Sequence, residues 1–186
     1  MVVDILSQSF DTNPSVNYVV KPGDGRPARI RGLMAYSFDV CHAFGKVYLS
    51  NDRKACALVL LPDKKKTTLK SILWDLKLAF TVIGPTRVPA ILARESIIKS
   101  GYPREPIYHL WYLGVDPAYQ RQGIGQALLG ELISESVHLH RPVYLETSVT
   151  ENVAYYERAG FKLYKTHAFG NPPVGHTSYC MNRAWH

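Results

Sequence analysis

Apolar and polar positions along the chain divide it into segments with two rhythms. Val2–Phe10 carries apolar residues at helical spacing, and Asn13-Pro14-Ser15 breaks the pattern. Pro27 opens a second helical stretch that runs to about Phe44, with Ile30, Leu33, Met34, Phe38 and Cys41 on one face and Gly45 as the C-terminal stop. Lys46–Ser50 and Ala55–Leu61 read as a hairpin across the polar turn Asn51-Asp52-Arg53. Leu69–Val82 and Val88–Lys99 return to the helical period, closed by Gly84-Pro85 and Ser100-Gly101. Ile107–Val115 is a run of strand formers ended by Asp116-Pro117, and residues 122–139 carry the helical stripe Ile124, Leu128, Leu129, Leu132 and Ile133. Val143–Thr147 predicts a strand. Ser148 and Glu151 have capping-box spacing and predict a helix reaching Ala159 and stopping at Gly160. Phe161–Phe169 and Thr177–Asn182 predict two closing strands around a Gly170–Gly175 loop. With no internal repeat or linker, the pattern is that of one α/β (α+β) domain over residues 1–186.

Composition adds exclusions. A chain of 186 residues, 46% apolar and 20% charged, is neither disordered nor low in complexity. Its longest apolar run, Ala55–Leu61, falls far short of the roughly 18 residues of a membrane-spanning helix, and Met-Val-Val-Asp lacks the features of a secretory signal. Three cysteines, Cys41, Cys56 and Cys180, form no CxxC pair and sit in apolar contexts, as small core residues do. The expectation is a soluble cytoplasmic protein with reduced thiols and no membrane partner. The net charge of +7 lies wholly in residues 1–100, which hold 15 Lys and Arg against 8 Asp and Glu. Its one dense run, Lys64-Lys65-Lys66, has no interleaved aromatics to stack bases and reads as a solvated turn, so no nucleic-acid partner is expected. The histidines show no metal-ligand spacing, and His138-x-His140 reads as a partner for a helix C-terminus, so no metal is expected.

The sharpest chemistry is Val115-Asp116-Pro117-Ala118-Tyr119-Gln120-Arg121-Gln122-Gly123-Ile124-Gly125. A buried strand stops, a glycine-bearing loop follows, and a long apolar-striped helix begins. Glycines let a ligand approach the backbone, and the free N–H groups of a first helical turn attract phosphate. Arg121 adds positive charge there. The loop lacks the Gly-Lys-Ser/Thr of a Walker A motif. It also lacks the third glycine of a Rossmann fingerprint, where Leu128 stands, which disfavours a nicotinamide oxidoreductase.

Gln120-Arg121-Gln122-Gly123-Ile124-Gly125 resembles the Gln/Arg-x-x-Gly-x-Gly/Ala signature of the GNAT superfamily of N-acetyltransferases. Tyr144–Ser148 and Asn152 to Tyr156-Glu157-Arg158-Ala159-Gly160-Phe161 resemble its second signature. The likeness covers roughly residues 107–164. It implies a mixed, mostly antiparallel sheet flanked by helices, split between that family's fourth and fifth strands, here Ile107–Val115 and Val143–Thr147. The implied cosubstrate is acetyl-CoA, held by a core of about residues 107–164, with an acceptor-side variable region of about 1–106. The backbone around Leu113, Gly114 and Val115 would bond the pantetheine, and Gln120, Arg121, Gln122, Gly123, Ile124, Gly125 and Gln126 would cradle the pyrophosphate, with Asn152 also reaching the CoA arm. Tyr156 matches the family's proton donor to the departing thiolate, and Tyr155, about 100° round the helix, reads as packing.

The implied reaction is direct acetyl transfer to a primary amine, chiefly of a small molecule. A non-catalytic acyl-CoA-binding module and acetylation of a protein N-terminus or lysine stay open, as does a homodimer. An alkylamine with a pKa near about 10.4 must lose a proton before it attacks, so a base is required. His109 and Glu146 are the candidates, and alternation does not settle which of them faces the cleft. His109 and Trp111 stand where the similar arylalkylamine N-acetyltransferases carry two histidines, so only the first is retained. The family usually begins with a strand, whereas this chain begins with a helix. Trp74, Phe80, Tyr108, Trp111 and Tyr112 fit either an aromatic acceptor site or ordinary packing.

Overall fold

In a computed structural model that describes residues 1–171 and 175–186, the predicted segments assemble on one sheet. The helices are α1 (Val2–Ser9), α2 (Pro14–Val19), α3 (Arg26–Phe44), α4 (Leu69–Leu78), α5 (Val88–Lys99), α6 (Ile124–His138) and α7 (Glu151–Arg158). The strands are β1 (Gly45–Leu49), β2 (Ala55–Leu60), β3 (Tyr108–Val115), β4 (Val143–Thr147), β5 (Lys162–Phe169) and β6 (His176–Arg183). They form a 6-stranded sheet in the order β1-β2-β3-β4-β6-β5, antiparallel throughout except for β3 beside β4. Among the described residues no strand precedes α1, so the family's fourth and fifth strands are β3 and β4 here. Residues 172–174 of the predicted Gly170–Gly175 loop lie outside the described residues.

Alternation sorts the side chains onto two cores. On one face Cys56, Leu58 and Leu60 of β2 pack with Leu6, Ile30, Met34 and Val40 of α1 and α3. On the other, Ala57 and Val59 join Leu110, Leu145, Leu128, Leu132 and Phe161 beneath α6 and α7. The register of β3 against β2 slips by one residue: Leu58 faces Tyr112 and Val59 faces Leu110, leaving Trp111 extra. This β-bulge puts Tyr112 and the neighbouring Trp111 with the α1–α3 core, while Leu110, Leu113 and Val115 stay with the α6–α7 core.

Two local expectations are corrected. Gly45 does not end α3 through a left-handed residue, since its φ of −159° is extended backbone. It is required by close approach, because a Cβ there would lie 2.0 Å from the Val59 carbonyl oxygen. Ser148 does not cap α7, whose N-cap is Thr150. Ser148 Oγ instead donates to Asn13 Oδ1 at 3.1 Å and accepts from the Ser15 N–H at 3.1 Å. Asn13 caps α2, accepting from the Val16 N–H at 3.1 Å with Pro14 as the first helical residue.

Candidate functional site

The parallel ladder between β3 and β4 holds only two pairs, Tyr108 with Val143 and His109 with Tyr144. Beyond His109 the strands diverge, and β3 keeps β2 on one side while its other edge borders a gap. An unpaired strand edge inside a sheet presents main-chain donors and acceptors to whatever fills that gap.

At the far end of β3, Asp116 caps a short turn through the Ala118 N–H at 2.9 Å, and Gln120 Nε2 donates to the Val115 carbonyl at 3.3 Å. Arg121 and Gly123 then take positive φ values of 61° and 81°. The first helical bond of α6 runs from the Ala127 N–H to the Gly123 carbonyl at 3.0 Å. Among the described residues, the N–H groups of Arg121, Gln122, Gly123, Ile124, Gly125 and Gln126 have no acceptor. A Cβ on Gly123 would meet nothing within 4 Å, whereas one on Gly125 would stand 3.1 Å from Val115 Cγ2. Gly123 therefore supplies the left-handed turn and an open approach, and Gly125 lets the first turn of α6 close on β3. Gly114 has a different reason: a Cβ there would meet Ser9 Oγ at 2.6 Å and Leu6 at 2.8 Å, so it seats α1 on β3.

Just where the ladder ends lies a buried polar cluster. His109 Nε2 is 3.0 Å from Glu146 Oε2. The Tyr102 hydroxyl donates to Glu146 Oε1 at 2.9 Å and lies 3.1 Å from the same imidazole nitrogen. His109 pairs in register with Leu60, and Glu146 alternates with Leu145, so both candidate bases share the face covered by α1 and α3. Burial pushes the Glu146 carboxyl up, but His109, the Tyr102 hydroxyl and Arg94 together outweigh it and hold the group below its ordinary value. Burial, followed by the Glu146 charge, raises the Tyr102 phenol, which stays a donor. Sequence reasoning misses Tyr102, which stands in an irregular segment after α5 and carries no local signal.

Rings complete this wall. Trp111 stacks beside His109 with centroids 6.3 Å apart, Tyr36 meets Trp111 at 6.4 Å, and Tyr144 meets Tyr102 at 5.6 Å. Of the aromatics weighed for an acceptor site, Trp111 is at the cluster, Tyr108 is on the opposite face, and Phe80 lies on the surface. Deeper on this face the Arg94 guanidinium is buried, donating to Glu95 Oε1 at 2.8 Å and Ser15 Oγ at 2.5 Å. Arg94 Nε, His176 Nδ1 and the Tyr164 hydroxyl are buried with no partner among the described residues.

Tyr156 stands on the other face, in the α6–α7 core, with its ring against Phe161 at 5.5 Å. Burial raises its phenol, and the hydroxyl has no protein partner among the described residues. Tyr155 packs half-buried against the α6–α7 core, with its hydroxyl 3.8 Å from where a Gly125 Cβ would be. Asn152 donates to Thr147 Oγ1 at 3.3 Å on this face. Burial lifts the Cys41 and Cys56 thiols to about 12, and burial together with Glu146 lifts Cys180 to about 11, so none is a ready nucleophile. His138 Nδ1 meets the Ser134 carbonyl at 2.8 Å in the last turn of α6.

Residues 90–163 match the family model described as Acetyltransferase (GNAT) domain, a span that takes in β3, the loop and both candidate faces of the split. That stretch is similar to a GNAT acetyltransferase domain. Solved structures extend the likeness to the whole chain as a fold. A protein of Corynebacterium glutamicum described as histone acetyltransferase HPA2 and related acetyltransferase is 18% identical, with a TM-score of 0.67, over 98% of this chain and 88% of its own. The C-terminal condensation domain of Ebony, in complex with beta-alanyl-dopamine, is 12% identical with a TM-score of 0.67 over 98% and 92%. Arylalkylamine N-acetyltransferase 2 from Aedes aegypti is 14% identical with a TM-score of 0.64 over 100% and 93%. These neighbours differ in what they are named for acting on, so the fold they share with this chain leaves its acceptor open.

Proposed function

We propose that this chain is an acetyl-CoA-dependent N-acetyltransferase acting on the primary amine of a small molecule. The supporting observation is the run of unpartnered N–H groups from Arg121 to Gln126, set where the free edge of β3 meets the N-terminus of α6. Donors in that number, backed by a helix dipole, fit a pyrophosphate. The main chain at Leu113 and Val115 suits the pantetheine amides, and Asn152 flanks the same arm.

Acetyl-CoA supplies a thioester, whose carbonyl carbon is the electrophile. His109 presents Nε2–H to the Glu146 carboxylate, which leaves Nδ1 as the basic lone pair. Tyr102 fixes both partners from a third side, a positioning role. The base removes the proton that an alkylamine carries at neutral pH, directly or through water. The amine nitrogen bonds to the carbonyl carbon, the carbon–sulfur bond breaks, the Tyr156 hydroxyl protonates the departing sulfur, and the further proton that the nitrogen sheds on becoming an amide restores that hydroxyl through water. Base and acid thus act from opposite faces of the sheet, across the gap between β3 and β4. The acceptor enters on the face of Trp111, Tyr144 and Tyr102, where the unmet donors and acceptors around Arg94 and His176 suit a polar molecule.

The reading is tested by thermal shift with coenzyme A, and by thiol release from acetyl-CoA across a panel of amines. Tyr156→Phe should lower kcat about tenfold or more while the KM for acetyl-CoA is kept. Unchanged turnover removes Tyr156 from the chemistry. No response to coenzyme A removes the whole proposal.

A further inference from the structure

The α4 segment is apolar on two sides. Trp74, Leu78 and Val82 pack on the α3 core, as expected of a helix lying on a sheet. The opposite side is apolar too. Leu69, Ile72, Leu73, Leu76 and Phe80 recur three or four residues apart along α4 and the wide turn Ala79–Ile83 that continues it, and all are exposed, Leu69 by 84%, Leu73 by 66% and Phe80 by 67%. The stripe is about 16 Å long at 1.5 Å per residue. A water-facing helix side is ordinarily polar, so a continuous stripe of large apolar residues marks a contact surface.

Charge identifies what it contacts. Lys64, Lys65 and Lys66 are exposed immediately before α4, and Lys70 and Lys77 run along one flank of the stripe. Residues 62–100 hold eight Lys and Arg against three Asp and Glu. All three acids are already engaged: Asp63 by Arg141 at 2.6 Å, Asp75 by the Tyr36 hydroxyl at 2.7 Å, and Glu95 by Arg94 at 2.8 Å. None of the five lysines has an ion-pair partner among the described residues. The stripe therefore sits beside an uncompensated positive field. A second copy of this surface would be repelled by that field. An anionic bilayer offers hydrocarbon to the stripe and negative headgroups to the lysines, and it asks for no shape complementarity. No single helix is long and apolar enough to cross a membrane, and the bent pair Leu69–Ile83 with Pro85–Lys99, at 101°, passes by length and composition only; the lysines flanking the stripe fit a helix that lies on the surface.

We propose that the exposed face of α4 docks this protein on anionic membrane surfaces, with Leu69, Leu73, Leu76 and Phe80 entering the headgroup boundary and Lys64–Lys66, Lys70 and Lys77 on the lipid charges. This departs from the expectation of a chain without a membrane partner, and it does not depend on the acetyl-transfer reading. The lysine run, which reads from sequence as a solvated turn, gains a ligand.

The test is co-sedimentation of the full chain with vesicles of phosphatidylcholine alone and of phosphatidylcholine mixed with phosphatidylglycerol. Binding is expected to the mixed vesicles only. The double variant Leu73→Ser/Phe80→Ser should weaken it by at least about tenfold, and each lysine of the run changed to Gln should weaken it about fivefold. These side chains are exposed, so thermal melts of the variants should match the parent. Failure to bind the mixed vesicles overturns the proposal. So does binding that survives Leu73→Ser/Phe80→Ser, which would be basic attraction alone. A dimer in sedimentation equilibrium that the same double variant dissolves would give the face to a second copy and overturn it equally.

Discussion

Replacing Glu146 by Gln tests the cluster at the head of the split with little change of shape. The amide oxygen can still accept from Tyr102, but the negative charge 3.0 Å from His109 Nε2 is gone. The Glu146 side chain is only 15% exposed, so water cannot replace what is lost. A hydrogen bond involving a charged partner contributes about 1.5–3 kcal/mol. For a domain of this size that corresponds to roughly 3–12 °C in Tm. The pH dependence has a definite sign. The carboxyl is held below its ordinary value in the folded protein, so its contribution is complete above the ordinary carboxylate range and drains away as pH falls through the folded value. The parent should lose that increment on acidification, and Glu146→Gln, which never had it, should approach the parent at low pH. Turnover should fall at least about tenfold, because an imidazole without its carboxylate is less well oriented. If His109 and Glu146 act as one unit, Glu146→Gln/His109→Gln should be scarcely slower than either single change. Melts across pH, read beside thiol release, give both quantities. A loss of Tm with kcat untouched would make the pair structural and refute the chemistry assigned to it.

Two further substitutions probe the backbone. Gly123→Ala adds a methyl into open space at φ 81°, so the fold should lose only about 1–2 kcal/mol from left-handed strain while the KM for acetyl-CoA rises about tenfold or more; an unchanged KM would show that nothing approaches that turn. Gly45→Ala drives a Cβ toward a backbone oxygen 2.0 Å away, and should cost about 3 kcal/mol, at the upper end of overpacking penalties, in denaturant melts; a neutral result would mean that β1 and β2 separate there without penalty.

Much of the scaffold was legible because its signals are local. The stripe of Ile124, Leu128, Leu129 and Leu132 dictates α6, and the strand formers of Ile107–Val115 dictate β3, whatever the rest of the chain does. The loop before α6 was legible for the same reason: Gln120 to Gly125 carry their geometry within a few residues. What stayed hidden depends on long-range pairing. Alternation along β3 could not place His109 because the bulge at Trp111 resets the rhythm, and that bulge exists only against β2. Tyr102 joins His109 and Glu146 only through tertiary approach. Ser148 has the spacing of a cap, but Asn13 and Ser15, far away in sequence, compete for its hydroxyl and win. Gly45 reads from sequence as a helix stop, but it is the close packing of β1 on β2 that requires a glycine there.

The slip at Trp111 gives β3 one position where its length can change without loss of register. Strands keep a two-residue beat, and the bulge absorbs one extra residue: with Trp111 removed, Leu110 and Tyr112 would become successive partners of Val59 and Leu58, and Leu113 and Gly114 would keep their faces. Such a deletion would take away the ring that stacks beside His109 while leaving the strand downstream in place. The bulge therefore lets β3 add a side chain to the wall of the cluster without disturbing the seat of α1 on Gly114.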